Sequence, residues 1–198
     1  MGSPTLAANP FGHDQFWVRR KFFTLFAPKF YFYDSQNRLI AFVKQKAFKL
    51  REDIRVYSDE SMTRELLHIH ARRIIDWSAA YDVMDSLTQQ KIGALKRKGW
   101  RSMVRDEWII MDSSDAEVGR IQEDSTFLAL LRRFITALIP QDYSFTLKGR
   151  EIGSAKQNLN FFLPKMAVDL SGDLSREFDR RIAMAAVVLL MAIEGRQD

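Results

Sequence analysis

The sequence predicts a mainly β protein of the α+β kind: a closed antiparallel barrel of roughly twelve strands around a buried hydrophobic C-terminal helix, with an additional amphipathic helix near 125–138. Three observations lead there. From Phe30 to Leu170, short runs of β-branched and aromatic residues are separated by turn clusters, the pattern of successive strands. Ile182–Ile193 is apolar on every side, so a helix there has no face suited to water. Finally, one strand pattern recurs: Ile40-Ala41-Phe42-Val43-Lys44-Gln45 is echoed by Ile92-Gly93-Ala94-Leu95-Lys96-Arg97 and by Ile152-Gly153-Ser154-Ala155-Lys156-Gln157. Similar meanders favour a closed sheet. A helix that needs cover on all sides fits inside one. A sandwich with the helix across one end is the alternative.

In chain order, residues 1–15 are rich in Gly, Pro, Ala and Asn and read as a flexible tail, leaving 16–198 as a single domain. Phe16–Phe26 is a first strand or short lead-in. Strands are expected at 30–34, 39–48, 54–58, 66–72, 79–85, 91–97, 100–105, 108–112, 117–122, 143–148, 151–157 and 166–170. Turn chemistry separates them at Asp34-Ser35-Gln36-Asn37, Asp112-Ser113-Ser114-Asp115, Lys148-Gly149 and Ser171-Gly172-Asp173. Between Ser125 and Leu138 the apolar residues Phe127, Leu128, Leu131, Phe134, Ile135 and Leu138 fall on one helical face, which Pro140 terminates. For the last helix, Asp173 or Ser175 offers a cap, Glu177 and Asp179 suit its positive first turns, and Gly195 suits its end. Within the repeats, strand alternation puts residues 41, 93 and 153 with 43, 95 and 155 on one face, and Lys44, Lys96 and Lys156 on the other.

Composition narrows the function classes. The chain has 198 residues, 30 Lys+Arg against 25 Asp+Glu, and no cysteine. A disulfide framework, a thiolate metal site, a cysteine nucleophile and S-acylation are excluded. The N-terminus lacks the basic and apolar regions of a secretory signal, which fits a cytoplasmic protein. The twelve residues Ile182–Ile193 span about 18 Å as a helix, short of a ~30 Å hydrocarbon core, and Arg180, Arg181 and Glu194 bracket them. A core helix is the reading; a membrane span is its competitor.

The ordered motifs Tyr33-Asp34, Leu39 to Lys46, Leu50-Arg51-Glu52-Asp53-Ile54, Ile75-Asp76, Tyr81-Asp82-Val83, Lys91-Ile92-Gly93, Lys96-Arg97-Lys98 and Arg105-Asp106-Glu107-Trp108 carry a resemblance. From about residue 16 onward the chain resembles the LURP-one-related and phospholipid scramblase-like proteins of the tubby C-terminal-like group. The resemblance implies a twelve-stranded barrel around a central helix, with 125–138 as an insertion. Its functional implications divide among lipid scrambling, phosphoinositide binding and unknown roles. Scramblases of this group resemble one another in a Pro-rich extension, a palmitoylated cysteine cluster and an acidic calcium-binding segment before the final helix. Here cysteine is absent, Gln157, Asn158, Leu159 and Asn160 stand where the acidic segment begins, and only Asp169 and Asp173 lie nearby. Calcium takes about six to eight oxygen ligands, so calcium-activated scrambling is not expected.

No recognised hydrolase, nucleotide-binding or zinc-protease motif occurs, and no enzyme activity is assigned. His68 and His70 share a strand face and would begin a metal site with Glu65 or Asp76, or are ordinary strand histidines. Asp112, Asp115 and Glu117 read as a solvated acidic turn. No cofactor is implied. Charge, by contrast, is segregated: Arg19–Arg51 carries nine basic residues and one acidic, Lys91–Arg105 six and none, and Asp106–Asp124 one and seven. Arg19, Arg20 and Lys21 lie among aromatics, in a chain where ten of 24 aromatic residues fall between Phe11 and Tyr33. Rings at headgroup depth beside cations suit a membrane interface; rings packed on the barrel are the competing reading. Lys44, Lys46, Lys96, Lys98 and Lys156 are candidates for an outer basic cluster, or are lysines of a solvated exterior. The expected function is therefore a non-enzymatic module engaging an anionic lipid, a membrane surface or another acidic ligand peripherally. A lipid scramblase or membrane-inserted protein is the alternative. The helix 125–138 offers a surface for a protein partner. The sequence pI of 9.5 permits nucleic acid, but no nucleic-acid motif accompanies it, so that partner is not expected.

Overall fold

A helix without a polar face persists in water only if it is enclosed, and the computed structural model encloses it. The structure describes residues 9–21, 28–44, 53–72, 80–98, 107–124, 141–158 and 164–193. The strands are β1 (Gln15–Lys21), β2 (Lys29–Asp34), β3 (Leu39–Lys44), β4 (Asp53–Tyr57), β5 (Glu65–Ala71) and β6 (Ala80–Asp85), followed by β7 (Gln90–Arg97), β8 (Glu107–Met111), β9 (Glu117–Glu123), β10 (Asp142–Leu147), β11 (Arg150–Gln157) and β12 (Lys165–Asp169). They wrap a single described helix, α1 (Arg180–Ile193). Each strand pairs antiparallel with its chain neighbours, and β1 closes the sheet onto β12. Closure leaves no free edge, and the sandwich alternative is excluded. The strand expected at 100–105, the helix expected at 125–138 and Gly195 lie outside the described residues.

Alternation along each strand fills the interior. Phe16, Val18, Phe30, Phe32, Val43, Val56, Leu95, Trp108, Tyr143 and Phe145 are buried in one core with α1, where Ile182 through Ala192 are each at most 6% exposed. Phe16–Lys21 is thus a barrel strand rather than a lead-in, with Phe16 and Val18 inside. The repeats behave as their alternation requires: Ala41, Val43, Leu95 and Ala155 are buried while Lys44, Lys96 and Lys156 are exposed. Among the described residues no helix is long and apolar enough to cross a membrane.

The leading isoleucine of each repeat has a geometric role. The β2–β3, β6–β7 and β10–β11 ladders each slip by one residue, leaving Ile40, Ile92 and Ile152 as the extra residue on the odd-numbered strand. Leu66 and Val118 do the same in the β4–β5 and β8–β9 ladders. Ile40, Leu66, Ile92 and Val118 follow one another at intervals of 26 residues. All five bulged side chains pack on the core, Ile92 and Val118 from its margin. They lie just beyond the tight turns, at the end of the barrel where α1 enters. Glycine follows the bulge where strands crowd: a Cβ on Gly153 would sit 2.1 Å from the Asp169 carbonyl oxygen.

Polar groups fix both ends of α1. Asp179, not Asp173 or Ser175, caps the helix, accepting from the Arg181 amide at 2.9 Å, while its carbonyl accepts the first helical bonds from Ile182 and Ala183. Asp173 instead secures the lead-in, accepting from the Phe178 amide at 2.9 Å and from Arg180 Nη1 at 2.6 Å. Arg180 also reaches Asp14 at 2.6 Å, and Arg181 reaches Asp85 on β6 at 2.6 Å. Residues 9–14, within the stretch read as a tail, therefore take part in the domain: Asp14 holds Arg180, and Phe11 packs against the core. At the far end Arg20 projects inward, and its Nη1 donates to the Met191 carbonyl at 3.4 Å. A cation there suits the negative pole of the helix.

Burial alone would raise the Asp173 carboxyl, but hydrogen bonds from Arg180, Phe178 and Glu177 outweigh it and hold the group below the usual carboxylate range. A depressed folded-state value contributes stability above the unfolded value of about 3.9, which is lost as pH falls through the folded one. Asp173→Asn leaves the Arg180 charge buried and is expected to cost about 3–5 kcal/mol at pH 7 in urea unfolding, with a flatter acid limb than the parent. Val188→Asp places a carboxylate at a fully buried position, and circular dichroism is expected to show loss of the cooperative fold.

Candidate functional site

Because side chains fill the interior, groups available to a partner are on the outward face of the strands and at the rims. The three adjacent cations of β1 divide accordingly. Arg19 and Lys21 point outward, whereas Arg20 is 7% exposed and bound to the helix end, so it is withdrawn from any lipid surface. Arg19 lies 5.7 Å from the ring centres of both Tyr31 and Tyr33 and donates to the Tyr33 hydroxyl at 3.3 Å. Trp17 stacks on Tyr33 at 4.3 Å, and Lys165 sits over Trp17 at 4.8 Å. The rings of β1 thus pack on the barrel. Residues 22–26 of the aromatic segment lie outside the described residues.

The expected cluster of Lys44, Lys46, Lys96, Lys98 and Lys156 does not assemble. Lys44, Lys96 and Lys156 share the same rim, but β3, β7 and β11 are four strands apart in the closed order. At roughly 4.8 Å per strand this separates them by on the order of 20 Å. Lys98 is joined to Glu107 at 2.8 Å. Lys46 lies outside the described residues. Strand alternation identified the face of each lysine but carries no information on which strands are neighbours.

A different grouping forms instead. Lys21 on β1 is the register partner of Lys29 on β2, and Lys29 is the partner of Lys44 on β3. Three lysines therefore stand side by side on the outer wall. One step along the strands, Arg19 is the partner of Lys165 on β12. Beneath the cations runs an aromatic floor: Lys21 Nζ lies 5.9 Å from the Tyr31 ring and Lys29 Nζ 5.9 Å from the Phe42 ring, and those rings meet edge to face at 5.2 Å. Among the described residues a single carboxylate enters this row. Glu60, from the turn between β4 and β5, accepts from the Tyr31 hydroxyl at 3.1 Å and lies 3.7 Å from Lys29 Nζ. Burial, and then the hydrogen bond to Glu60, push the Tyr31 hydroxyl up to about 12.

Like charges directly opposite on adjacent strands destabilise a sheet, by amounts comparable to the ~0.2–1 kcal/mol of favourable pairs. Elsewhere among the described residues of the outer wall, cations meet carboxylates. Arg72 is bidentate on Asp82 and also meets Asp115, which Lys91 approaches at 2.6 Å. Arg55 pairs with Glu65 at 2.7 Å, and Arg120 with Glu117 at 2.7 Å. Within the acidic stretch, Glu107, Asp115 and Glu117 are taken up in ion pairs and Asp112 accepts from Ser114 and Ala116 within its own turn, while Asp106 lies outside the described residues. His68 bonds Asp53 at 2.7 Å and His70 approaches Asp82 at 3.9 Å, and no cluster of metal-ligating residues occurs among the described residues. What the Lys21–Lys29–Lys44 row can do chemically is neutralise an anion: three ammonium groups, a phenolic donor and, among the described residues, no competing base except Glu60.

Sequence reasoning found Arg19, Lys21 and Lys44 but missed Lys29, Lys165, Tyr31 and Glu60 as their companions. The register that joins them depends on the one-residue slip at Ile40, which no local pattern reveals. Lys44→Glu, by placing opposite charges across from each other, is expected to raise stability by about 0.2–1 kcal/mol in urea unfolding, with the gain shrinking in high salt. A loss of stability would show that the row is not under repulsion.

Neither the curated proteins nor the solved structures contain a match to this chain. A family model does match, over residues 39–191, most of the barrel and nearly all of its helix. By that match the chain belongs to the LURP-one-related family.

Proposed function

We propose that this protein is a non-enzymatic binding module that engages an anionic lipid surface peripherally, at the cytoplasmic face of a membrane. The observation carrying the proposal is the in-register row Lys21–Lys29–Lys44, three cations held side by side against their own repulsion with one carboxylate among them. Lys165 and Arg19 extend the positive wall across β12 and β1, and Lys156 on β11 lies on the same rim. Five consecutive strands in the closed order, β11, β12, β1, β2 and β3, thereby each present a lysine toward that rim, while at the opposite end Asp14, Asp85, Asp173 and Asp179 are paired with Arg180 and Arg181 around the start of α1. A run of lysines on one rim orients the molecule toward a negative surface. The alternative of a scramblase or membrane-inserted protein requires α1 to leave the barrel, and the burial of every side chain from Ile182 to Ala192 gives it no support.

The test is co-sedimentation with phosphatidylcholine vesicles, with and without phosphatidylserine, at low and high salt. Binding is expected only with the anionic lipid and is expected to vanish near 1 M salt, where the screening length is about 3 Å. At about 1 kcal/mol per lysine, Lys21→Ala with Lys44→Ala is expected to weaken it about thirtyfold. Equal binding to neutral vesicles would overturn the proposal.

A further inference from the structure

We infer that Tyr31, Lys29 and Lys21 form a cradle for a phosphomonoester headgroup, and that Glu60 occupies this cradle in the resting protein as a built-in competitor. The inference rests on the anionic-surface reading above and names the ligand class and its regulation. Glu60 is not a neighbour of the row by strand order. It comes from the turn after β4 and crosses the outside of β3 to reach Tyr31 and Lys29 on β2, about 10 Å across two strand spacings. The turn that delivers it is internally braced: Asp59 accepts from the Ser61 amide at 2.8 Å and from the Ser58 hydroxyl at 2.8 Å, and Met62 takes a left-handed φ of 55°.

At its destination the Glu60 carboxylate meets a hydroxyl donor at 3.1 Å and an ammonium at 3.7 Å. Lys21 and Arg19 stand over the same Tyr31 ring at 5.9 and 5.7 Å. Those are the contacts an exogenous anion would make. Glu60 supplies one negative charge to a row of three positive ones, so the row is under-neutralised even when occupied. Its side chain is half-exposed, and an exposed ion pair is held weakly enough to be displaced. A phosphodiester brings the single charge Glu60 already provides. A phosphomonoester brings up to two charges and three acceptor oxygens, enough to engage Tyr31, Lys29 and Lys21 or Lys44 together. The geometry therefore selects monoester over diester headgroups.

The test compares the full chain with Glu60→Gln and, as a control of equal charge change, Glu151→Gln at an exposed position on β11. Vesicles of phosphatidylcholine carry either phosphatidic acid, a monoester, or phosphatidylserine, a diester, matched in surface potential. Glu60→Gln is expected to strengthen binding about fivefold relative to both the parent and Glu151→Gln. The parent is expected to prefer phosphatidic acid, and soluble sn-glycerol 3-phosphate at vesicle-equivalent concentration is expected to compete poorly. Equal binding by the two glutamate variants would overturn the role of Glu60, and equal binding of both matched vesicles would overturn the monoester assignment. Full competition by the soluble phosphate would overturn a lipid source. In each of those cases salt-sensitive binding to anionic vesicles would leave the broader reading standing, whereas loss of that binding in the parent would remove it instead.

Discussion

Everything in this molecule follows from a helix that cannot face water on any side. Ile182–Ala192 offers no polar stripe, so a single-sided sheet is not enough and the strands must close around it. Closure in turn decides where chemistry is possible. The inward residue of each alternating pair is committed to packing, as Phe16, Phe32, Leu95 and Phe145 are. The outward residue is left to the solvent, and recognition becomes a property of the wall and the rims.

On that wall the arrangement of charge is uneven. Many of the described cations are matched by a carboxylate on an adjacent strand or turn, as Arg72 is by Asp82 and Arg55 by Glu65. The row on β1, β2 and β3 departs from this economy. A sheet optimised for stability would place a carboxylate opposite Lys21 or Lys44, as it does elsewhere. The polar groups at its two ends tell a complementary story about α1: Asp179, Asp173 and Asp14 gather at its positive pole and Arg20 at its negative one. These side chains complement the helix dipole, and the lysine row stands at the carbonyl end of the helix.

Much of the fold was legible in the sequence because period and apolarity are local properties. The alternation of Ala41, Val43 and Lys44, or of Leu95 and Lys96, sets the face of each residue without knowledge of its neighbours. The all-round apolarity of Ile182–Ile193 implies enclosure with no alignment of strands. The candidate site was only half legible. Arg20 sits between two outward cations in sequence, and only the presence of the helix end beneath it explains its inward use. Lys29 joins Lys21 and Lys44 through pairings between three strands, a long-range fact. The mistaken grouping of Lys44, Lys96 and Lys156 arose from their equivalence in the repeat, since equivalent positions in a closed repeat are distributed around the circle rather than brought together. Glu60 reaches the row across an intervening strand, which no spacing encodes.

The regular bulges have a consequence for how the chain tolerates change. Ile40, Leu66, Ile92 and Val118 keep time at equal intervals, and then the beat is lost: Ile152 arrives eight residues late. The ladders on either side of the delay, β8 with β9 and β10 with β11, keep the same one-residue slip, so the surplus lies between them and not within them. A barrel assembled from hairpin units of fixed phase can therefore lengthen a connection at the rim without disturbing its register, while a single residue added inside a strand would turn every following side chain of that strand to the wrong face. The surplus falls at the end of the barrel where α1 finishes, which is also the end that carries the Lys21–Lys29–Lys44 row.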